Sequence, residues 1–164
     1  MGTGLSAPSA VRPILIGGLI AGTFDITYAC VYSYAMRGTR PVRILQSVAS
    51  GAFGEKAFTA GTKMALIGLV FHFLISITAG GVYFLASRQL KILISRPIVC
   101  GMLYGVCVYL FMNFVVLPLS AIPFKMSYPW PSLAGGLLIH MLGIGLPIAL
   151  VVRAYSRSEN QRWK

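Results

Sequence analysis

The sequence predicts an all-α membrane protein: four transmembrane helices in a bundle, with one amphipathic interfacial helix between the first and second spans. Composition is the first reason. The chain is 57% hydrophobic and only 10% charged, with a mean hydropathy of +0.79, whereas ordinary soluble domains carry about 25% charged residues. The second reason is that four apolar runs, at 13–36, 64–86, 97–117 and 132–152, each exceed the roughly 17 residues a spanning helix needs. The third is that basic residues or prolines interrupt the chain between these runs. A single integral domain over 1–164 follows.

Residues 1–10 are small and polar with no basic segment, and are expected to form a short disordered tail. The run at 13–36 outlasts the roughly 7–15-residue apolar core of a signal peptide and carries Asp25 at its centre. After Arg37, Arg40 and Pro41 the chain becomes too polar to cross but keeps a helical period. Ile44, Leu45, Val48 and Ala52 fall on one side, and Arg43, Gln46, Ser47 and Ser50 on the other. This pattern places an amphipathic helix at 42–60 in the headgroup plane, with a re-entrant segment as the alternative.

The second run begins after Lys63 and ends before Arg88, and a short basic link at 87–96 delivers the chain to Pro97, a suitable early helical residue. The third run stops at Pro118. Four prolines in the stretch PLSAIPFKMSYPWP forbid regular helix there, while Phe124, Tyr128 and Trp130 give it the aromatic character of a membrane interface. The fourth run ends at 152, and 153–164 is a basic polar tail.

Fourteen Lys and Arg against three acids give a net charge of +11. The cations sit at the ends of apolar runs and no basic stripe is interleaved with exposed aromatics, so the expected partners are anionic lipid headgroups rather than nucleic acid. Four crossings put both termini on one side, which holds eight Lys and Arg against six on the other. The positive-inside rule then makes both termini cytoplasmic. Arg37, Arg40 and Arg43 weigh against that orientation. Cys30, Cys100 and Cys107 lie inside apolar runs without a CxxC pair and read as small buried hydrophobes.

Each span carries one residue that is costly to bury: Asp25, His72, Asn113 and His140. Counting inward from the run ends places His72, Asn113 and His140 in one leaflet, with Asp25 near the midplane just below. Their faces agree: Gly18, Gly22 and Asp25 form one stripe, Gly68, His72 and Ser76 a second, and Gly136, His140 and Gly143 a third. Gly18 with Gly22 and Gly101 with Gly105 are GxxxG pairs, which let helix backbones approach closely. Pro147 removes the hydrogen bond to the carbonyl of Gly143, one turn from His140, and is expected to kink the fourth helix.

Three uses of such a cluster compete. It can be a structural network, with Asp25 protonated or hydrogen-bonded to Tyr, Ser or His neighbours. It can be a pathway for protons, an ion or a small solute, as intramembrane ionisable residues often are. Or His72 and His140 can hold haem b or a metal, although no further paired histidine, CxxCH motif or internal arginine accompanies them. No GxSxG, HExxH or Gly-rich phosphate loop points to an enzyme, and no metal ligand set or cofactor is assigned.

The strings GGLIAGTFDITYA, RILQSVASGAFGEKAF and YGVCVYLFMNFVVLPLSAIP, in that order over 17–123, resemble a group of small, uncharacterised bacterial four-helix inner-membrane proteins. They are similar, more distantly, to the YagU-like inner-membrane proteins. The resemblance implies the bacterial cytoplasmic membrane and carries no site residues with it. The expected function is that of a small transport or channel-like protein, with an accessory subunit of a larger membrane complex, or a homo-oligomer, as the alternative.

Overall fold

The computed structural model describes residues 8–124 and 129–162. Lys125 and Tyr128 of the proline-rich connection, with residues 1–7 and 163–164, lie outside the described residues. The described chain is helical almost throughout and contains no strand. Helix α1 spans Pro8–Arg37, α2 Pro41–Phe53, α3 Gly61–Gln89 and α4 Ile92–Ser95. Helix α5 spans Pro97–Leu119 and α6 spans Trp130–Arg157, its helical backbone continuing to Arg162. The four long helices α1, α3, α5 and α6 are each long and apolar enough to cross a membrane, and the chain is a multi-pass membrane protein.

Element boundaries follow from backbone chemistry. Helix α1 stops at Gly38, whose φ of 64° suits a residue without Cβ. Pro41 then opens α2 at a position where its missing N–H is not needed. The interfacial segment expected at 42–60 is α-helical only to Phe53 and tightens into a 3₁₀ turn over Gly54–Phe58. Two tails are shorter than the sequence suggested: α1 is helical from Pro8, and α6 runs ten residues beyond 152, to Arg162. The basic link also holds a turn of helix, α4.

Glycine decides which helices touch. An ideal Cβ on Gly18 would lie 2.5 Å from Ile77 Cα, and one on Gly22 would lie 2.9 Å from Phe73 Cδ1 and Ser76 Oγ. These contacts seat α1 antiparallel on α3. On the other flank, a Cβ on Gly101 would lie 2.9 Å from the Gly145 carbonyl oxygen, and Gly105 rests on the carbonyl of His140. Those contacts seat α5 on α6. Gly17 approaches Ile148 Cα, at 3.5 Å from an ideal Cβ, so α1 and α6 form the middle pair. Lipid tails are as apolar as these side chains, so close backbone approach and interhelical hydrogen bonds supply the association energy.

Ala21, Ile144, Ile148, Ala149 and Val152 fill the centre, together with the fully buried ring of Tyr83. At the α4 end the Tyr104 hydroxyl donates to the Ala79 carbonyl at 2.7 Å, and Tyr83 donates to Leu93 at 3.0 Å, their rings edge to face. The first bond ties α5 to α3, and the second ties α3 to α4. At the opposite end α2 lies across α3, with the Leu45 carbonyl against Gly68.

Helix α2 buries part of its polar side against α3, while Ile44, Leu45 and Val48 of its apolar side are half-buried and Arg43 is exposed. Gln46, Ala49 and Ser50 are buried, while Val42, Ala52 and Phe53 are exposed. Polar side chains tolerate this burial because their bonds are made inside the protein. The Gln46 amide donates to the Gly61 carbonyl at 2.9 Å, and the Ser50 hydroxyl donates to Ser47 at 2.7 Å. Small residues on this side also allow the close contact at Gly68.

Candidate polar site between the first and fourth spans

The site begins with the stripe that Asp25 shares with Tyr28 and Tyr32, at i, i+3 and i+7 on α1. Antiparallel to it, Ser132, Gly136 and His140 follow at i, i+4 and i+8 on α6. The two stripes meet in register. Tyr32 and Ser132 hydroxyls are 3.0 Å apart, the Tyr28 hydroxyl rests on Gly135, and Asp25 Oδ1 lies 3.9 Å from His140 Nδ1. That last separation is within reach of an ion pair but too long for a hydrogen bond. The His140 Nδ1–H donates instead to the Gly136 carbonyl at 2.9 Å, which leaves Nε2 of a neutral ring as an acceptor.

His72 joins from α3. Its Nε2–H donates to the Gly22 carbonyl at 2.8 Å, one turn before Asp25 on α1, while Ser76 donates to the His72 carbonyl at 3.0 Å. Both histidines therefore reach the same turn of α1. Their exposures differ: His72 is 8% exposed, against side-chain values of 15% for His140 and 21% for Asp25. The carboxylate is the most open member. Tyr109 of α5 completes the surroundings, with its ring edge to face on His140 and against Gly136.

Asn113 does not join this group. Its amide donates to the Tyr109 carbonyl of its own helix at 2.8 Å, and the Tyr109 ring in turn packs on His140. Of the four polar span residues, the structure brings three to one turn of α1. It also adds Tyr28, Tyr32, Tyr109 and Ser132, which sequence reasoning left out, although the period linking Asp25 to Tyr28 and Tyr32 was available to find those two; Ser76 already stood on the His72 stripe. Among the described residues no group of three or more His, Cys, Asp or Glu side chains forms a metal site.

The local backbone explains how His140 is aimed. A proline ring collides with the carbonyl four residues before it, which for Pro118 is that of Phe114 and for Pro147 that of Gly143. Just upstream of each proline the helix widens into a π turn, over Met112–Val116 in α5 and His140–Gly145 in α6. Leu117 N–H accordingly bonds to Met112, and Leu146 N–H to Met141, five residues back. The kink expected at Pro147 thus takes the form of a π turn with His140 as its first residue, and π turns are often found at functional positions.

Two apolar regions bound the site. Beyond Asp25, toward the chain termini, Ala21 and Ile144 are 0% and 5% exposed. On the outer face of α1, Leu19, Ile20 and Phe24 are exposed apolar residues of the kind that face lipid. The arrangement is a carboxylate and two imidazoles held between apolar surfaces and flanked on one side by hydroxyls. Such a set can take up and release protons or hold a cation. No protein-family model, curated protein or solved structure matches this chain.

Proposed function

We propose that the protein is a small, non-enzymatic transport or channel-like protein of the bacterial inner membrane, in which Asp25 and His140 form the station for a passing proton or cation. One observation carries the reading: a carboxylate and an imidazole from two different spans stand 3.9 Å apart between apolar helix faces. Placing such groups at this depth is costly by at least ~2.5 kcal/mol for the carboxylate, and a helix pair already joined by glycine contacts does not need them for packing. The resemblance to bacterial four-helix proteins supports the inner-membrane location, and the basic residues around α4 and after α6 support cytoplasmic termini.

A second reading, an accessory subunit of a larger membrane complex, is favoured by the close-packed centre at Ala21, Ile144 and Ile148. A continuous aqueous path past that layer needs either helix movement or further copies.

Flux in proteoliposomes separates these readings. Under an imposed potential, wild-type protein should acidify or alkalinise vesicles holding a pH dye, or move a monovalent cation. Asp25→Asn should cut that flux at least tenfold while leaving helicity and elution volume unchanged. A wild type no more conductive than empty vesicles, or an Asp25→Asn variant with full flux, refutes the transport reading. Gentle purification with mass spectrometry of co-purifying subunits then tests the accessory role.

A further inference from the structure

The elbow between α1 and α2 combines an apolar groove with two arginines that, among the described residues, pair with no acid. The groove has a volume of about 350 Å³ and is lined by Cys30, Val31, Tyr34, Ala35 and Pro41. Val31 and Tyr34 are each 63% exposed. From Cys30 to Arg37 the helix rises about 10 Å, so the groove extends down α1 from the basic end toward the hydrocarbon region.

Arg37 ends α1, and Arg40 immediately precedes Pro41, the groove's last lining residue; both arginines are exposed. Among the described residues neither makes an ion pair. The chain's three acids are engaged or placed elsewhere: Asp25 faces His140, Glu55 lies on the 3₁₀ turn, and Glu159 follows the fourth span at the other end of the bundle. Arg43 is also occupied, with its guanidinium 4.1 Å above the Phe58 ring. Arg37 and Arg40 therefore flank an open apolar groove, and among the described residues neither meets an acidic side chain.

The ligand that satisfies both features is amphipathic and anionic. Guanidinium groups bind phosphate oxygens through paired N–H donors, and the groove below accepts a hydrocarbon chain. Free phosphate leaves the groove unused. A second copy of this chain brings the same positive elbow and is repelled. We infer that the α1–α2 elbow is a binding site for one anionic glycerophospholipid, with its phosphate held by Arg37 and Arg40 and one acyl chain laid along Cys30, Val31 and Ala35. Tyr34 stands at the level where the chain meets the glycerol, a position aromatic residues favour.

Native mass spectrometry of the full chain, released from micelles doped with phosphatidylglycerol or phosphatidylcholine, tests this site. One phosphatidylglycerol should remain bound at activation energies that strip phosphatidylcholine. At about 1 kcal/mol per basic residue near an anionic surface, Arg37→Ala with Arg40→Ala should weaken retention roughly thirtyfold. Ala35→Phe, which fills the groove and leaves both charges, should also lower occupancy. Phosphatidylglycerol, but not inorganic phosphate, should slow maleimide labelling of Cys30, read by peptide mapping. Equal retention of the two lipids, unchanged binding in the Arg variants, or protection by inorganic phosphate alone overturns the proposal.

Discussion

Replacing Gly145 by alanine should separate α5 from α6, and the size of the effect follows from the contact. An ideal Cβ there would sit 2.5 Å from Gly105 N and 2.8 Å from Gly105 Cα, with the Gly101 carbonyl oxygen also in the way. All three obstacles are backbone, so no side chain can swing aside. Ordinary carbon contacts lie at about 3.5–4.0 Å, so the helices must part locally by roughly 1 Å, a gap that forfeits a quarter to a half of each dispersion contact along the seam. Overpacking of this kind typically costs ~1–3 kcal/mol. Gly51→Ala provides the opposite case: its nearest neighbour would be Ser120 Cβ at 3.7 Å, an ordinary contact. Alanine is also the better helix former, by up to about 1 kcal/mol. Unfolding in mixed micelles of rising dodecyl sulfate content, followed by circular dichroism, should place Gly145→Ala below wild type and Gly51→Ala at or above it. A Gly145→Ala variant as stable as Gly51→Ala would show that the seam is not held by backbone contact.

Three further outcomes follow from contacts described above. Tyr104→Phe removes the 2.7 Å bond to the Ala79 carbonyl and should lower stability by ~0.6 kcal/mol, the average for hydrogen bonds between membrane helices, and by no more than ~1.7 kcal/mol; an unchanged midpoint in the same titration would argue against that tie between α3 and α5. Gly68→Ala drives a methyl group into the Leu45 carbonyl and should lift α2 from α3, so trypsin should cut at Arg43 and Lys56 several-fold faster than in wild type. His72→Phe retains a ring but loses the bond to Gly22. If His72 belongs to the transport station, flux should fall with Asp25→Asn and the two changes should combine to less than the product of their separate effects; independent multiplication would separate them.

Composition and run length made the helices legible, because a bilayer demands both. Glycine spacing also marked where backbones come close. The partner of each face was not legible, since Gly18 and Gly22 meet α3 whereas Asp25, one turn on, meets α6, and that choice depends on how all four helices are arranged. Helix α2 shows a different difficulty. Periodicity separates its apolar side from its small polar side, but within a membrane protein either can be the buried one. Here Gln46 and Ser50 are buried and find partners inside, while Ile44, Leu45 and Val48 are half-buried and Ala52 is exposed. Asn113 shares a leaflet with the histidines in the run-end count, but its amide is spent on the Tyr109 carbonyl of its own helix, a choice that depth alone does not reveal. Pro118 and Pro147 were visible signals, and the π turn before each is the part the sequence pattern left unspecified.

The π turn in α6 amounts to one surplus residue, and that residue divides the helix into two separately keyed sections. Residues 130–139 are indexed to Tyr28 and Tyr32 of α1 and to Tyr109, whereas residues 146–157 are indexed to Gly17 and Gly101. Deleting the surplus residue would turn one section against the other by about 100° and put one set of contacts out of register. Sliding it along the helix would instead re-aim only the residues it passes. His140 stands at the boundary between the sections, so the imidazole facing Asp25 is the side chain that such a displacement would swing first, with the contacts of both sections left in place.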